Sequence, residues 1–290
     1  MELRVLKYFL AVAQEKNITS ASESLHITQP TLSKQLMDLE KELGCKLFER
    51  GKRKITLTEE GTFLRQRAQE IVDLADKTES SLKSVDQTVA GDISIGCGET
   101  QGMRVIIGAM KKLSDTHPDI RFHIYSGNGE DVSERLKKGL VDFGLFVGNA
   151  NLEKFDYIKL PVYDTWGLLM RKDAPLAERE AIRPKDLENI TLLCSRQALT
   201  NNELSGWLGK DFSKLNILST HNLLYNASLM VEEGMGYALA IDGLLNTSER
   251  NLVFRPFEPR IKADLVFAWK NYQVFSKASE LFLNCLLKNL

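Results

Sequence analysis

No apolar run in this 290-residue chain approaches the ~18 residues that a membrane span needs, so no membrane association is predicted. Charge of one sign is lacking as well. Lys and Arg number 38 against 39 Asp and Glu, so only local charge can point to a polyanionic partner. Cysteine is scarce. Cys45, Cys97, Cys194 and Cys285 lie far apart without a CxxC pair, which argues against a disulfide framework and for a reducing cytoplasm. Glu2, Arg4 and Lys7 interrupt the first apolar positions, so no secretory signal is expected. His26, His117, His123 and His221 are scattered, with no metal-ligand spacing among them. GxSxG, P-loop and HExxH motifs are all missing. Neither an enzyme nor a metal or cofactor is predicted.

What is present starts with helical periodicity. Leu6, Phe9, Leu10 and Ala13 make residues 4–15 an amphipathic helix that Asn17 stops. Thr19 or Ser20 can cap a second, short helix, with Glu23 completing a capping box after Ser20. After a turn at His26-Ile27, Thr28 is a good N-cap, and Pro30 stands in the first turn, where its missing N–H costs little. Leu32, Leu36, Leu39 and Leu43 give this third helix an inward stripe, and Gly44 ends it. Its opposite face carries Gln29, Thr31, Ser33, Lys34 and Gln35, side chains suited to base edges and phosphates. A short helix, a tight turn and a capped longer helix read as a helix-turn-helix. Arg50, Lys52, Arg53 and Lys54 then surround Gly51, followed by the alternating Ile55 and Leu57. That is a basic hairpin, or wing, expected to track the DNA backbone beside the recognition helix.

Several of these segments carry a family resemblance. Phe9-Leu10-Ala11-Val12-Ala13, Ala21-Ser22-Glu23-Ser24-Leu25, Thr28-Gln29-Pro30-Thr31-Leu32-Ser33, Leu47-Phe48-Glu49-Arg50 and Leu57-Thr58-Glu59-Glu60-Gly61 resemble the LysR-type transcriptional regulators through about sixty residues without a gap. Ser22 departs from the usual second alanine but is still small. The resemblance implies a cytoplasmic bacterial regulator that binds double-stranded DNA as a dimer of dimers. It also implies DNA contacts from Thr28, Gln29, Pro30, Thr31, Ser33 and Lys34, with wing contacts from Arg50 and Arg53. RNA polymerase is a further candidate partner.

Between Glu59 and Val89 there is no proline, and Gly61 is the sole glycine. Leu64, Ala68, Ile71, Ala75, Thr78, Leu82, Val85 and Val89 alternate spacings of four and three, a heptad seam that a partner helix would cover. The competing reading is a helix packed on its own chain. The family resemblance favours the dimer.

From Ala90 onward strands and helices alternate, which predicts an α/β domain with a largely parallel sheet. The pattern restarts after Leu160-Pro161, giving two similar lobes. The last strand and helix, Leu265–Trp269 and Lys277–Leu287, return to the first lobe. The expected layout is a multidomain α/β protein. It has a winged helix-turn-helix (1–58), a linker helix (59–89) and a two-lobed domain (90–290). Lobe I takes about 90–161 and 266–290, and lobe II about 162–265. The last domain is similar to the effector-binding domain of the same family, itself like a periplasmic solute-binding protein.

Ligands in such sheets bind beyond the carboxyl ends of the strands. Candidate effector residues there are Thr100, Gln101, Asn128, Val147, Gly148, Ser195, Arg196 and Asn222, the last as a helix N-cap. The turn Gly96-Cys97-Gly98-Glu99-Thr100-Gln101-Gly102 nearly spells a dinucleotide signature. Its third glycine is one place late, however, and the second strand ends in Tyr125-Ser126 without the acidic residue. The turn's free N–H groups at a helix start predict a small anionic or carboxylate effector. Cys97 and Cys194 end strands beside the expected cleft, which leaves oxidation sensing as an alternative. A transport-type binding protein fails to account for the head.

Overall fold

The structure, a computed structural model, describes residues 1–50, 55–83, 89–148, 150–199, 202–209 and 215–290. The chain divides into two units, Met1–Lys83 and Ser84–Leu290.

In the first unit, α1 (Leu3–Glu15), α2 (Ile18–Ser24) and α3 (Gln29–Leu43) precede a hairpin of β1 (Phe48–Arg50) and β2 (Ile55–Leu57) and the long α4 (Glu59–Lys83). Leu6, Phe9, Leu32, Leu39 and Leu47 are its largest fully buried side chains. The expected cap of α2 shifts. Asn17, read from sequence as a stop, is itself the N-cap, its Oδ1 accepting from the amides of Thr19 and Ser20. A cap must sit one residue before the helix to reach its second and third amides, and Asn17 does. The helix thus starts before Thr19 and Ser20, without the capping box. Ser22 is buried, and its hydroxyl donates to the Thr19 carbonyl at 2.8 Å, so its departure from alanine leaves no polar group unpaired.

The hairpin pairs Phe48 with Leu57 and Arg50 with Ile55. Lys52, Arg53 and Lys54 lie outside the described residues. Glu40 of α3 anchors β1. Its carboxylate accepts from the amides of Leu47 (2.8 Å) and Phe48 (3.3 Å) and from Lys46 Nζ (3.0 Å).

The stripe on α4 serves two purposes. Ala68 is fully buried and Leu64 partly so, both within the head core beside Val72. Close packing on α1 leaves Ala68 no surface for a partner helix, so here the own-chain reading of the stripe holds. Ile71 and Leu74, with Phe63, face outward. Val85 lies outside the described residues.

In the second unit, β3 (Gly91–Cys97), α5 (Met103–Thr116), β4 (Ile120–Ser126), α6 (Gly129–Lys137) and β5 (Phe143–Val147) build most of lobe I. Strand β6 (Phe155–Arg171) then runs into lobe II. There β7 (Leu192–Ser195), α7 (Arg196–Leu199), α8 (Asn202–Leu208), β8 (Ile217–His221), α9 (Leu224–Glu232), β9 (Tyr237–Ile241) and β10 (Leu252–Pro256) follow. Strand β11 (Lys262–Lys270) and α10 (Lys277–Leu287) return to lobe I. The strand order is β4-β3-β5-β11-β6-β9-β7-β8, with β10 on β6. Two features depart from expectation. The sheet is parallel only within the trios β4-β3-β5 and β9-β7-β8. All pairings of β6 and β11 are antiparallel. Also, Leu160-Pro161 does not end a lobe, because β6 continues through it. Each lobe has its own core, around Ile93, Phe143, Phe267 and Phe282 in lobe I and Leu168, Leu192, Leu239 and Phe257 in lobe II.

Candidate functional site

The N-terminal end of α3 presents Thr28, Gln29, Pro30, Thr31 and Lys34 as exposed, with Ser33 and Gln35 half-buried. Leu32, Leu36 and Leu39 on the other side are buried, which fixes the rotation of the helix. Thr28 does not cap through its side chain. Its hydroxyl pairs with that of Thr31 (2.8 Å), and Gln29 Nε2 donates to Ser33 Oγ (2.9 Å). These are exposed local pairs, which restrict the rotamers of a polar row without burying it.

The second candidate site is a cavity of about 90 Å³ between the lobes of the C-terminal unit. Asn128, Val147, Ser195, Arg196 and Asn222 line it, as do several residues that sequence reasoning left out. Glu99 and Gly98 contribute from lobe I, and Trp166, His221 and Leu224 from β6 and the β8–α9 junction. Leu239, Ala240 and Ile241 add an apolar wall from β9. The strand-end rule could have found Ile241, because β9 stops there. Trp166 carried no such signal, since it lies inside β6. Two buried polar atoms here, Trp166 Nε1 and His221 Nδ1, have no hydrogen-bond partner among the described residues. Burial also pushes the His221 imidazole down, which favours its neutral form.

Three expected residues do not line this cavity, and each has another task. Gly148 turns the chain after β5 with φ of 69°, its amide donating to the Asp264 carbonyl at 2.8 Å. Gln101 Nε2 donates to the Gly243 carbonyl in lobe II. The Thr100 hydroxyl accepts from the Gly102 amide at 2.9 Å. The amides of Met103, Arg104 and Val105 turn back on the carbonyls of Thr100, Gln101 and Gly102. The start of α5 is therefore not the open set of N–H groups that the glycine turn suggested. Asn128 is the N-cap of α6, accepting from the Asp131 amide. Asn222 is not a cap, because α9 begins two residues on and Leu223 holds that position.

Burial pushes the Cys97 thiol up and that of Cys194 up to about 12. Both are held as thiols, the opposite of what an oxidation sensor needs.

Beside the cavity, Asp164 is 6% exposed and its Oδ2 is unpartnered. Burial raises its pKa above 3.8. The Thr100 hydroxyl opposes this and Asp242 adds to it. A raised carboxyl makes the folded state the better proton binder. Stability therefore falls as pH rises from 3.8 through the folded value, and the whole penalty is present above it. Asp164→Asn should remove the penalty. Thermal unfolding of the full chain should show a higher midpoint at pH 7 and a weaker fall of the midpoint as pH rises from 3.8. Each ~1 kcal/mol gained would read as ~2–4 °C. An unchanged midpoint at pH 7 would refute this account.

A winged helix-turn-helix with an exposed polar helix face, carried with a two-lobed α/β domain around a cavity, defines a class: DNA-binding transcription regulators with an effector-binding domain. Comparison with known proteins narrows it. Residues 3–62 match the bacterial regulatory helix-turn-helix proteins of the lysR family, and residues 86–290 match the LysR substrate binding domain. This chain belongs to the LysR family.

The HTH-type transcriptional regulator CysL of Bacillus subtilis is 33% identical over 185 residues, which is 64% of this chain and 62% of CysL. The Hca operon transcriptional activator HcaR of Escherichia coli is 27% identical over 274 residues, 93% of this chain and 92% of HcaR. The full-length structure of CbnR complexed with its target DNA matches with a TM-score of 0.76 and 17% identity, covering 100% of both chains. At that identity the likeness speaks for the fold. CysL and HcaR are both regulators of transcription. Among the described residues, no helix is long and apolar enough to cross a membrane.

Proposed function

We propose that α3 enters the major groove of a specific operator through Thr28, Gln29, Pro30, Thr31, Ser33, Lys34 and Gln35. The cations Arg50, Lys52, Arg53 and Lys54 of the wing hold the adjacent backbone. The observation that carries this reading is the division of α3 into a buried leucine side and an exposed polar side. A rod of this kind, entering N-terminus first, fits the wide groove. The outward residues of α4, Ile71 among them, join two copies in the cytoplasm, with Ala75, Leu82 and Val85 continuing the seam. Two such dimers then make the DNA-bound assembly, and RNA polymerase is its partner at the promoter.

A small anionic effector enters the interlobe cavity, where Arg196 supplies a matching charge. Binding favours one arrangement of the lobes and thereby one arrangement of the heads on DNA. The effector can shift that equilibrium only by its difference in affinity for the two states.

Base-edge and backbone contacts fail differently, and this tests the reading. Gln29→Ala should relax base preference, costing ~1–3 kcal/mol on the cognate site and little on others. Arg53→Ala should weaken all sequences alike and reduce the salt slope by ~1. Binding titrations on cognate and scrambled duplexes at several salt concentrations separate them. Equal losses for both variants on every duplex would refute the assignment. An effector that leaves the DNA footprint unchanged would refute the coupling.

A further inference from the structure

In lobe II, α9 starts at the cavity wall with Leu223 as N-cap, and Leu223 offers no side-chain cap. The first-turn amides of a helix have no intrahelical partners and favour an anion. One anion is already there. The amide of Leu224 donates to Glu99 Oε2 at 2.8 Å, across 125 residues of sequence and from the other lobe. Glu99 is half-buried and lines the same cavity. Its neighbour Gln101 in the β3–α5 loop reaches across as well, to the Gly243 carbonyl. The loop thus clasps lobe II through the side chains of Glu99 and Gln101.

A second observation points to a ligand at the same place. Trp166, 7% exposed, lines the cavity with its indole Nε1 unpartnered, and His221 Nδ1 is also unpartnered. The cavity therefore holds a helix end satisfied by the protein's own carboxylate, beside a donor that nothing satisfies.

We infer that Glu99 is a built-in stand-in for the carboxylate of the effector, and that the effector binds by displacing Glu99 from the start of α9. This rests on the proposed reading of the cavity as the effector site, and it adds how entry to that site is controlled. In a space of about 90 Å³, two carboxylates on one helix end repel each other in a poorly screened setting. One must leave. When Glu99 leaves, the clasp loses one of its contacts, while the incoming group keeps α9 capped and accepts from the Trp166 indole.

The test uses acetate as the probe, on the full-length protein. In the wild type, the Leu224 amide should be protected from hydrogen exchange, and acetate should change nothing at millimolar levels. In Glu99→Ala that protection should be lost and then restored by acetate, but not by chloride at equal ionic strength. Acetate affinity should be at least about tenfold above wild type. Unchanged protection at Ile95 and Leu239 shows that the variant is folded. Glu99→Gln keeps the packing, removes the charge and should gain affinity too. Acetate binding the wild type as tightly as either variant, or failing to restore Leu224 in Glu99→Ala, would overturn the proposal. The assay needs neither DNA nor natural effector, so its failure is distinct from failure of the DNA switch proposed above.

Discussion

Gly61→Ala is expected to destabilise the DNA-binding head by about 3 kcal/mol and to abolish DNA retention at ambient salt. A Cβ at this position would stand 2.0 Å from the Leu47 carbonyl oxygen and 3.1 Å from Leu57 Cδ2. The first obstacle is backbone, so no rotamer change can relieve it. Relief requires β1 to move away from α4. That movement withdraws Leu47, 1% exposed, from the core and strains the bond from the Thr58 amide to the same carbonyl. A competing effect exists, because alanine is favoured over glycine in helices by ~1 kcal/mol. The overlap is larger than that gain and sets the sign. Urea unfolding of the full chain, followed by far-UV dichroism and by retention on operator DNA, measures both consequences. A variant that melts with the wild type and binds normally would show that this approach of helix and strand is not required.

The second large effect is expected at Glu40. Truncation to alanine leaves the amides of Leu47 and Phe48 without their acceptor, and a buried unpaired amide costs ~1–3 kcal/mol. With two amides affected, the loss should be about 2–5 kcal/mol. The Lys46 partner adds little, because its side chain is 77% exposed. Burial alone would push the Glu40 carboxyl up. The amides of Leu47 and Phe48, with Lys46, outweigh it and hold the carboxyl below 4.5. A lowered carboxyl stabilises the fold above its unfolded value. That contribution disappears as pH falls through the folded value. Wild-type head stability should therefore drop below pH 4.5, and Glu40→Gln, which cannot ionise, should flatten the drop while keeping one acceptor. Denaturant midpoints between pH 3 and 7 decide the matter. A Glu40→Ala midpoint equal to wild type would remove Glu40 as the anchor of the wing.

These two residues also show how far the sequence could be read. The helices of the head were legible because Leu6 and Phe9 in α1, and Leu32, Leu36 and Leu39 in α3, repeat at one helical face. Gly61 was visible only as part of a family motif, since its reason is a carbonyl fourteen residues earlier. No sequence signal marked Glu40 as an acceptor, because periodicity carries no information about which amides a folded neighbour leaves unpaired. The two lobes and the return of α10 were legible from alternating strand and helix signals. The passage of β6 through Leu160-Pro161 was not. There a proline usually ends a strand, and only the pairing with β11 shows that it does not. In the cavity, strand ends led to Asn128, Val147, Ser195, Arg196 and Asn222. His221 ends β8 and lay within reach of the same rule, whereas the contact of Glu99 with the start of α9 depends on which lobe faces which, a long-range fact with no local pattern.

The pairing of β6 with β11 has a mechanical consequence. The lobes are not strung on two separate threads. They share a ladder in which Tyr163 to Thr165 face Asp264 to Lys262 and Phe155 to Ile158 face Lys270 to Phe267, with an irregularity between Asp264 and Val266. Sliding one strand past the other would break several of these bonds at once, whereas flexing the pair out of its plane breaks none. Such a ribbon acts as a leaf spring. It resists shear, and it is softest where its ladder is least regular.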